Sequence, residues 1–358
     1  MSIVILARSG TPGSNVLMRH AVLVIILAIA AATPSLEAAT VAASDHAAPE
    51  PATDRAYAEY MATVLDDMQT SAAPEQRVFA LLYGPTLRSA EKITTTTPAA
   101  GRALAALADA NPDNAKIQWM MAAANAPDQV SPDAKASAIA RLQASETDNA
   151  AAWALSLSAD AKSGGDESMD ATLERMAAST RYDSHLHYAG SVLLDAERLH
   201  PLSAEILALM SKKPDEAVNQ DAAMKVAAMS ITAATMAVPI DAFKACKPPK
   251  GESLSKFRQD ACVAIGRLLV HRSTDIISVG FGRGILRRLD ALDAADAERF
   301  RQVWWWNGLI VADMNENAIS EELGDYYATG NEIEAARKAA QKKGRPEPPA
   351  DWSPESGS

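Results

Sequence analysis

Apolar residues recur every three to four positions along most of this chain, the spacing of amphipathic helices, and strict alternation of the strand kind is scarce. Two such stretches, "DRAYAEYMATVLDDMQ" and "EQRVFALLYGPTLRSAEKI", open the series after residue 52. Further on, "DAAMKVAAMSITAATMA" places Met224, Ala228, Ile231 and Thr235 near one face. Leu254, Phe257, Ala261, Ala264, Ile265 and Leu268 share a face of a later helix. Phe300, Val303, Trp304 and Val311 lie in one sector of a helix that is apolar nearly all round, which predicts burial. Abundant Ala, Leu, Met and Glu favour the same state. The pattern predicts an all-α protein.

A longer period overlies the helical one. "PDNAKIQW" ends at Trp119, "TDNAAAW" at Trp153 and "YDSHLHY" at Tyr188, with Asp113, Asp148 and Asp183 spaced 35 residues apart. Each aspartate is placed to cap a helix N-terminus, because a carboxylate accepts the unpaired N–H groups there. A breaker and a second helix follow each time: "AKASAIARLQAS", "SMDATLERMAAS" and "LSAEILALMS". One hairpin cannot bury its own apolar face, so a helix-turn-helix period near 35 predicts stacked hairpins, an α-α superhelix.

The aromatics Trp119, Trp153 and Tyr188, the Gly164-Gly165-Asp166 turn, and Ala171 and Ala178 carry a resemblance to the tetratricopeptide repeat over Asp113 to about Pro214. The Leu-Gly pair of that family is replaced by Ser156-Leu157 and Ser191-Val192, and its closing proline is not in place. The resemblance implies a concave peptide-binding surface lined by first-helix residues, here Met120, Ala124, Leu155, Ser158, Ala189 and Leu193. The Lys and Asn residues of the carboxylate-gripping subtype are absent from those positions, so the implied groove is small and apolar. Plain packing between helices is the alternative role for the same six residues. The repeats are assigned to 52–217, a second helical region to 218–340, and a proline-rich, polar, disordered tail to 341–358.

The first 43 residues change the picture of where the protein works. From Met18, Arg19 and His20 precede an uncharged run, Ala21 to Ala32, and then small residues at Ala38, Ala39 and Ala43. This is the layout of a signal peptide followed by a flexible leader, with Met1 or Met18 as the start. The run is far short of the roughly 20 residues of a membrane-spanning helix. The expectation is a periplasmic or secreted protein of a bacterial envelope, with no stable transmembrane segment. In that setting Cys246 and Cys262, the only two cysteines, are expected to form one disulfide, with free buried thiols as the alternative. Fifteen intervening residues do not make a redox C-x-x-C motif, and a zinc site lacks enough ligands nearby.

Charge excludes one class of partner. The net charge of −11 argues against nucleic acid. The segment Lys244 to Arg301 is nonetheless basic, with 12 basic and 7 acidic residues, and is expected to pair with the acidic remainder or to be solvated.

Candidate chemistry is sparse. His185 and His187, with Asp183 and His200, are the nearest approach to a metal cluster, but residues two apart on a helix diverge. "GFGRG" (280–284) lies between helical stretches, which suits close helix packing better than a phosphate loop. In the triplet Trp304-Trp305-Trp306, Trp305 is the candidate for an exposed aromatic contact. No catalytic or metal-ligating residue and no cofactor is named by any motif. The reading is a non-enzymatic exported interaction or scaffold protein with a protein or peptide partner. The alternatives are an envelope enzyme without a local motif and a sugar- or cell-wall-binding module.

Overall fold

The computed structural model describes residues 52–88, 97–124, 130–157, 165–210, 219–234, 239–248, 251–312 and 316–354. The signal peptide and leader, Ser158 and Thr235 lie outside them. Sixteen helices and no strand occur among the described residues, with two isolated bridges at Asn149–Arg181 and Tyr182–Ser273. We number them α1 (Ala52–Thr70), α2 (Pro74–Arg88), α3 (Pro98–Ala110), α4 (Ala115–Ala123), α5 (Pro132–Ser145), α6 (Ala150–Ala154), α7 (Gly165–Ala178) and α8 (His187–Glu197). Then follow α9 (Ala204–Met210), α10 (Gln220–Ala234), α11 (Ile240–Ala245), α12 (Lys256–Arg272), α13 (Ile276–Arg288), α14 (Ala294–Ala312), α15 (Glu316–Thr329) and α16 (Glu332–Lys342).

The caps fall one residue later than the spacing of the aspartates predicts. Asn114 caps α4 by accepting from the Ile117 N–H, and Asn149 caps α6 by accepting from that of Ala151. Asn is as good an N-cap as Asp, and its place nearer the helix wins. In the third unit no side chain caps α8, and Asp183 instead accepts from the N–H of His185.

Helices pair as hairpins α1–α2, α4–α5, α6–α7 and α12–α13. The third predicted hairpin does not close on itself. α8 packs mainly on α10 and also meets α1, α2, α4 and α15, while α9 lies against α1. The physical reason is a long-range contact: the Tyr60 hydroxyl donates to His200 O at 2.8 Å, and Leu202 and Ile206 are buried among Tyr57 and Tyr60. α8 thus becomes a central strut touched by both halves of the chain.

The main core runs from Met61 in α1 to Ile285 in α13, and a second cluster gathers Ile276, Val303, Trp306 and Ala336. The basic segment pairs within the chain, as Arg258 of α12 contacts Asp166 and Asp170 of α7 at 3.0 and 2.5 Å. No helix among the described residues is long and apolar enough to cross a membrane.

Cys246 and Cys262 form the expected disulfide, both fully buried, with Cα atoms 5.6 Å apart. Closing a loop of this length restricts the unfolded chain by about 3 kcal/mol. Replacing both cysteines by serine should therefore lower unfolding stability by about 3 kcal/mol in urea titrations, and reduction of the parent protein should reproduce that loss.

The glycines of "GFGRG" lie inside α13. A Cβ on Gly282 would stand 2.6 Å from Gly266 O and 2.7 Å from Leu269 Cβ on α12, so the two helices touch backbone to backbone there. Gly282→Ala should cost about 2 kcal/mol by overpacking. Gly308→Ala is the control, since nothing lies within 4 Å of its added methyl. A thermal melt that moves equally for both would refute the close approach.

The tail also departs from expectation. α16 continues to Lys342, and residues 343–354 lie along α14, where the Trp305 and Trp306 indoles donate to Arg345 O and Pro346 O. Composition suggests disorder here, but the two tryptophans supply the donors this segment lacks.

Candidate functional site

The junction of α2, α4 and α8 leaves a small recess, partly open to solvent. Its walls are Tyr83 from α2, Trp119, Met120 and Ala123 from α4, the loop Ser184–Leu186, and Tyr188 and Ala189 from α8. The walls are largely aromatic and apolar because α4 is apolar on several sides, with Ile117, Trp119, Met120 and Met121 all buried.

His185 governs the rim. Its φ of 48° lies in the left-handed region, which non-glycine residues enter rarely. Two sets of contacts hold it there. Its N–H donates to Asp183 Oδ1 at 3.0 Å, and its ring is clasped between Glu146 Oε2 (2.9 Å from Nε2) and Asp183 Oδ2 (3.5 Å from Nδ1). The ring stacks on Tyr188 at 4.5 Å and tilts against Trp119 at 5.0 Å.

Glu146, at the C-terminal end of α5, is the hub of this cluster. It accepts from Trp119 Nε1 at 2.9 Å, Asn149 Nδ2 at 2.7 Å and Arg181 Nη2 at 3.0 Å, besides its contact with His185. Burial pushes its carboxyl up, but the hydrogen bonds and the His185 charge outweigh burial and bring it down to about 2. Arg181 also reaches Asp148 at 3.3 Å and Asp183 at 3.7 Å.

Both nitrogens of His185 face carboxylates, and the Ser184 hydroxyl donates to Asp275 Oδ2 at 3.1 Å, so the polar groups of the rim are engaged with one another. The Tyr83 hydroxyl is buried and without a hydrogen-bond partner among the described residues. His187 turns away from the rim, its ring 6.2 Å from that of His185, and burial lowers it to about 4. Among the described residues no group of three His, Cys, Asp or Glu side chains is placed to hold a metal ion.

The residues expected to form a groove separate into two sets. Met120 and Ala189 line the pocket. Ala124 and Leu193 are buried packing residues, and Leu155 is half-buried at the C-cap of α6, which is only five residues long. Among the described residues, these positions do not line one continuous groove. Trp305 is half-buried rather than free. Its ring meets Trp352 edge-on at 5.2 Å and 69°, not in the coplanar arrangement a sugar platform needs.

Glu146, Asn149, Arg181 and Tyr83 were not singled out by motif. The repeat register did hold a signal: Glu146 and Arg181 stand 35 residues apart, and Asn149 exchanges hydrogen bonds with Asp183, 34 residues on. Residues one sequence period apart therefore meet here. No family model, curated protein or solved structure matches this chain.

Proposed function

We propose that this is a non-enzymatic, exported interaction protein of the bacterial cell envelope, which holds one side chain of a protein or peptide partner in the pocket between α2, α4 and α8. The observation that carries this reading is the division of labour at the pocket. Its charged groups satisfy one another at the rim, while aromatic and apolar walls face the space. Such a site grips without reacting, since a small set of polar groups in an apolar concavity fixes orientation. The leader-like sequence from Met18 and the Cys246–Cys262 disulfide support export, because disulfides persist in oxidising compartments.

Two measurements on the protein in its native cells test the proposal. Intact mass with alkylation before and after reduction should give a chain without its leader, modified at both cysteines only after reduction. A photoreactive residue in place of Ala123 should trap discrete adducts that are missing when it replaces the exposed Arg102. An uncut chain with free thiols would sink the export half. Identical adducts from both positions would sink the pocket half.

A further inference from the structure

We propose that the tryptophan face of α14 is a docking site for a proline-rich segment of a partner protein, and that residues 345–352 of this chain are its resident, displaceable occupant. The proposal stands on the contacts of the tail alone and does not depend on the pocket beside His185.

Three side-chain donors of α14 point at three backbone acceptors of the tail. Trp305 Nε1 donates to Arg345 O at 3.0 Å, Trp306 Nε1 to Pro346 O at 2.6 Å, and Arg301 Nη1 to Pro349 O at 2.9 Å. The match is chemical as well as geometric. Pro346, Pro348 and Pro349 have no N–H, so the segment presents carbonyl acceptors with few donors, whereas indole and guanidinium are donors only. Proline also fixes φ, so a proline-rich segment loses little freedom on docking. This is the logic by which aromatic-lined surfaces take proline-rich chains.

Side chains complete the seat. Pro348 is buried against the protein, Trp352 lays its ring against Trp305, and the Arg345 guanidinium lies 5.5 Å from the Trp305 ring centre. The occupant is held by its edge. Arg345, Pro346, Glu347, Pro349, Ala350 and Asp351 are all exposed, and Pro348 is the one buried residue of the stretch. Gly344, at φ 65°, turns the chain out of α16 and back over α14, so the segment can leave without unwinding a helix.

Fluorescence anisotropy with a labelled peptide of residues 344–354 tests this. A chain ending at Lys343 should bind the peptide at least tenfold more tightly than the full chain, because the full chain supplies its own competitor. Trp305→Phe in the shortened chain keeps the ring, removes the donor and should weaken binding about tenfold. A peptide with its three tandem-region prolines (346, 348 and 349) changed to alanine should bind as weakly. Equal affinity of the full and shortened chains, or indifference to Trp305→Phe, would overturn the proposal. If the shortened chain loses its helical circular dichroism, the full chain carrying Pro346→Gly and Pro348→Gly loosens the segment instead, with the same expected gain. A full chain that dimerises with rising concentration, and stops doing so with Trp305→Phe, would assign the site to a second copy and overturn the choice of partner.

Discussion

Glu197→Gln should leave stability near pH 5 within about 1 kcal/mol of the parent and raise it on the order of 4 kcal/mol at pH 8. Glu197 is the last residue of α8 and is 1% exposed. Its Oε1 accepts from the Tyr57 hydroxyl at 3.4 Å, while its Oε2 has no partner among the described residues. A carboxylate there is desolvated, and it also sits at the negative end of the helix dipole. Burial pushes the carboxyl up from 4.5 to about 8, and the Tyr57 hydrogen bond opposes this only weakly.

The sign follows from proton binding. Between about 4.5 and about 8 the folded chain keeps a proton on Glu197 that the unfolded chain has released, so stability falls as pH rises through that window. Glutamine has the same shape and no proton to lose. His187 works in the opposite direction, because burial lowers it from 6.5 to about 4 and its contribution is lost as pH falls through that range. It is present in both proteins and cancels in their difference. Urea unfolding of parent and variant at pH 5 and pH 8 reads the effect. Two stability curves that run parallel across this range would remove the ionisable charge from the account.

Local chemistry was legible along the chain, and long-range partnership was not. The helices, the disulfide and the close contact at Gly282 each follow from a few neighbouring residues: apolar spacing, two cysteines flanking the breaker residues Pro248, Pro249 and Gly251, a glycine on a helix face. Burial of Trp119 follows in the same way. The cap at Asn114 rather than Asp113 shows the limit of this reasoning, because adjacent residues with equal capping power differ only in where the helix begins. The partner of α8 was harder. Its apolar sides suit α9 as well as α10, and the choice is made by Tyr60 and His200, 140 residues apart. The rim cluster was half-legible. Glu146 and Arg181 stand one sequence period apart, but neither is a motif, and only folding brings them within 3.0 Å. The tail misled for a physical reason. Low hydrophobicity predicts that a segment cannot fold on its own, and says nothing of a helix elsewhere that carries the matching donors.

The junction between the two halves hangs on Asp275, and Asp275→Ala should cost about 4 kcal/mol, against about 1 kcal/mol for Asp275→Asn. Asp275 is 4% exposed and caps α13 by accepting from the Ser278 N–H at 2.7 Å. Its other oxygen accepts from the hydroxyls of Ser278 at 2.9 Å and Ser184 at 3.1 Å, so one side chain ties α13 to the pocket loop. Around it, Tyr182 N donates to Arg272 O, Thr274 N to Tyr182 O, and Glu332 N to Thr274 O, which brings the start of α16 to the same knot. Alanine removes the cap and also strands two buried hydroxyls, so its cost exceeds that of a lost cap alone. Asparagine caps as well as aspartate, and the serine hydroxyls can rotate to accept from its amide. Burial pushes the Asp275 carboxyl up while its hydrogen bonds with Ser278 and Ser184 oppose that, so charge itself adds little that asparagine lacks. Urea unfolding of both variants separates the two roles. Equal losses for alanine and asparagine would mean that the carboxylate's charge holds the junction; a loss confined to alanine means that its geometry does.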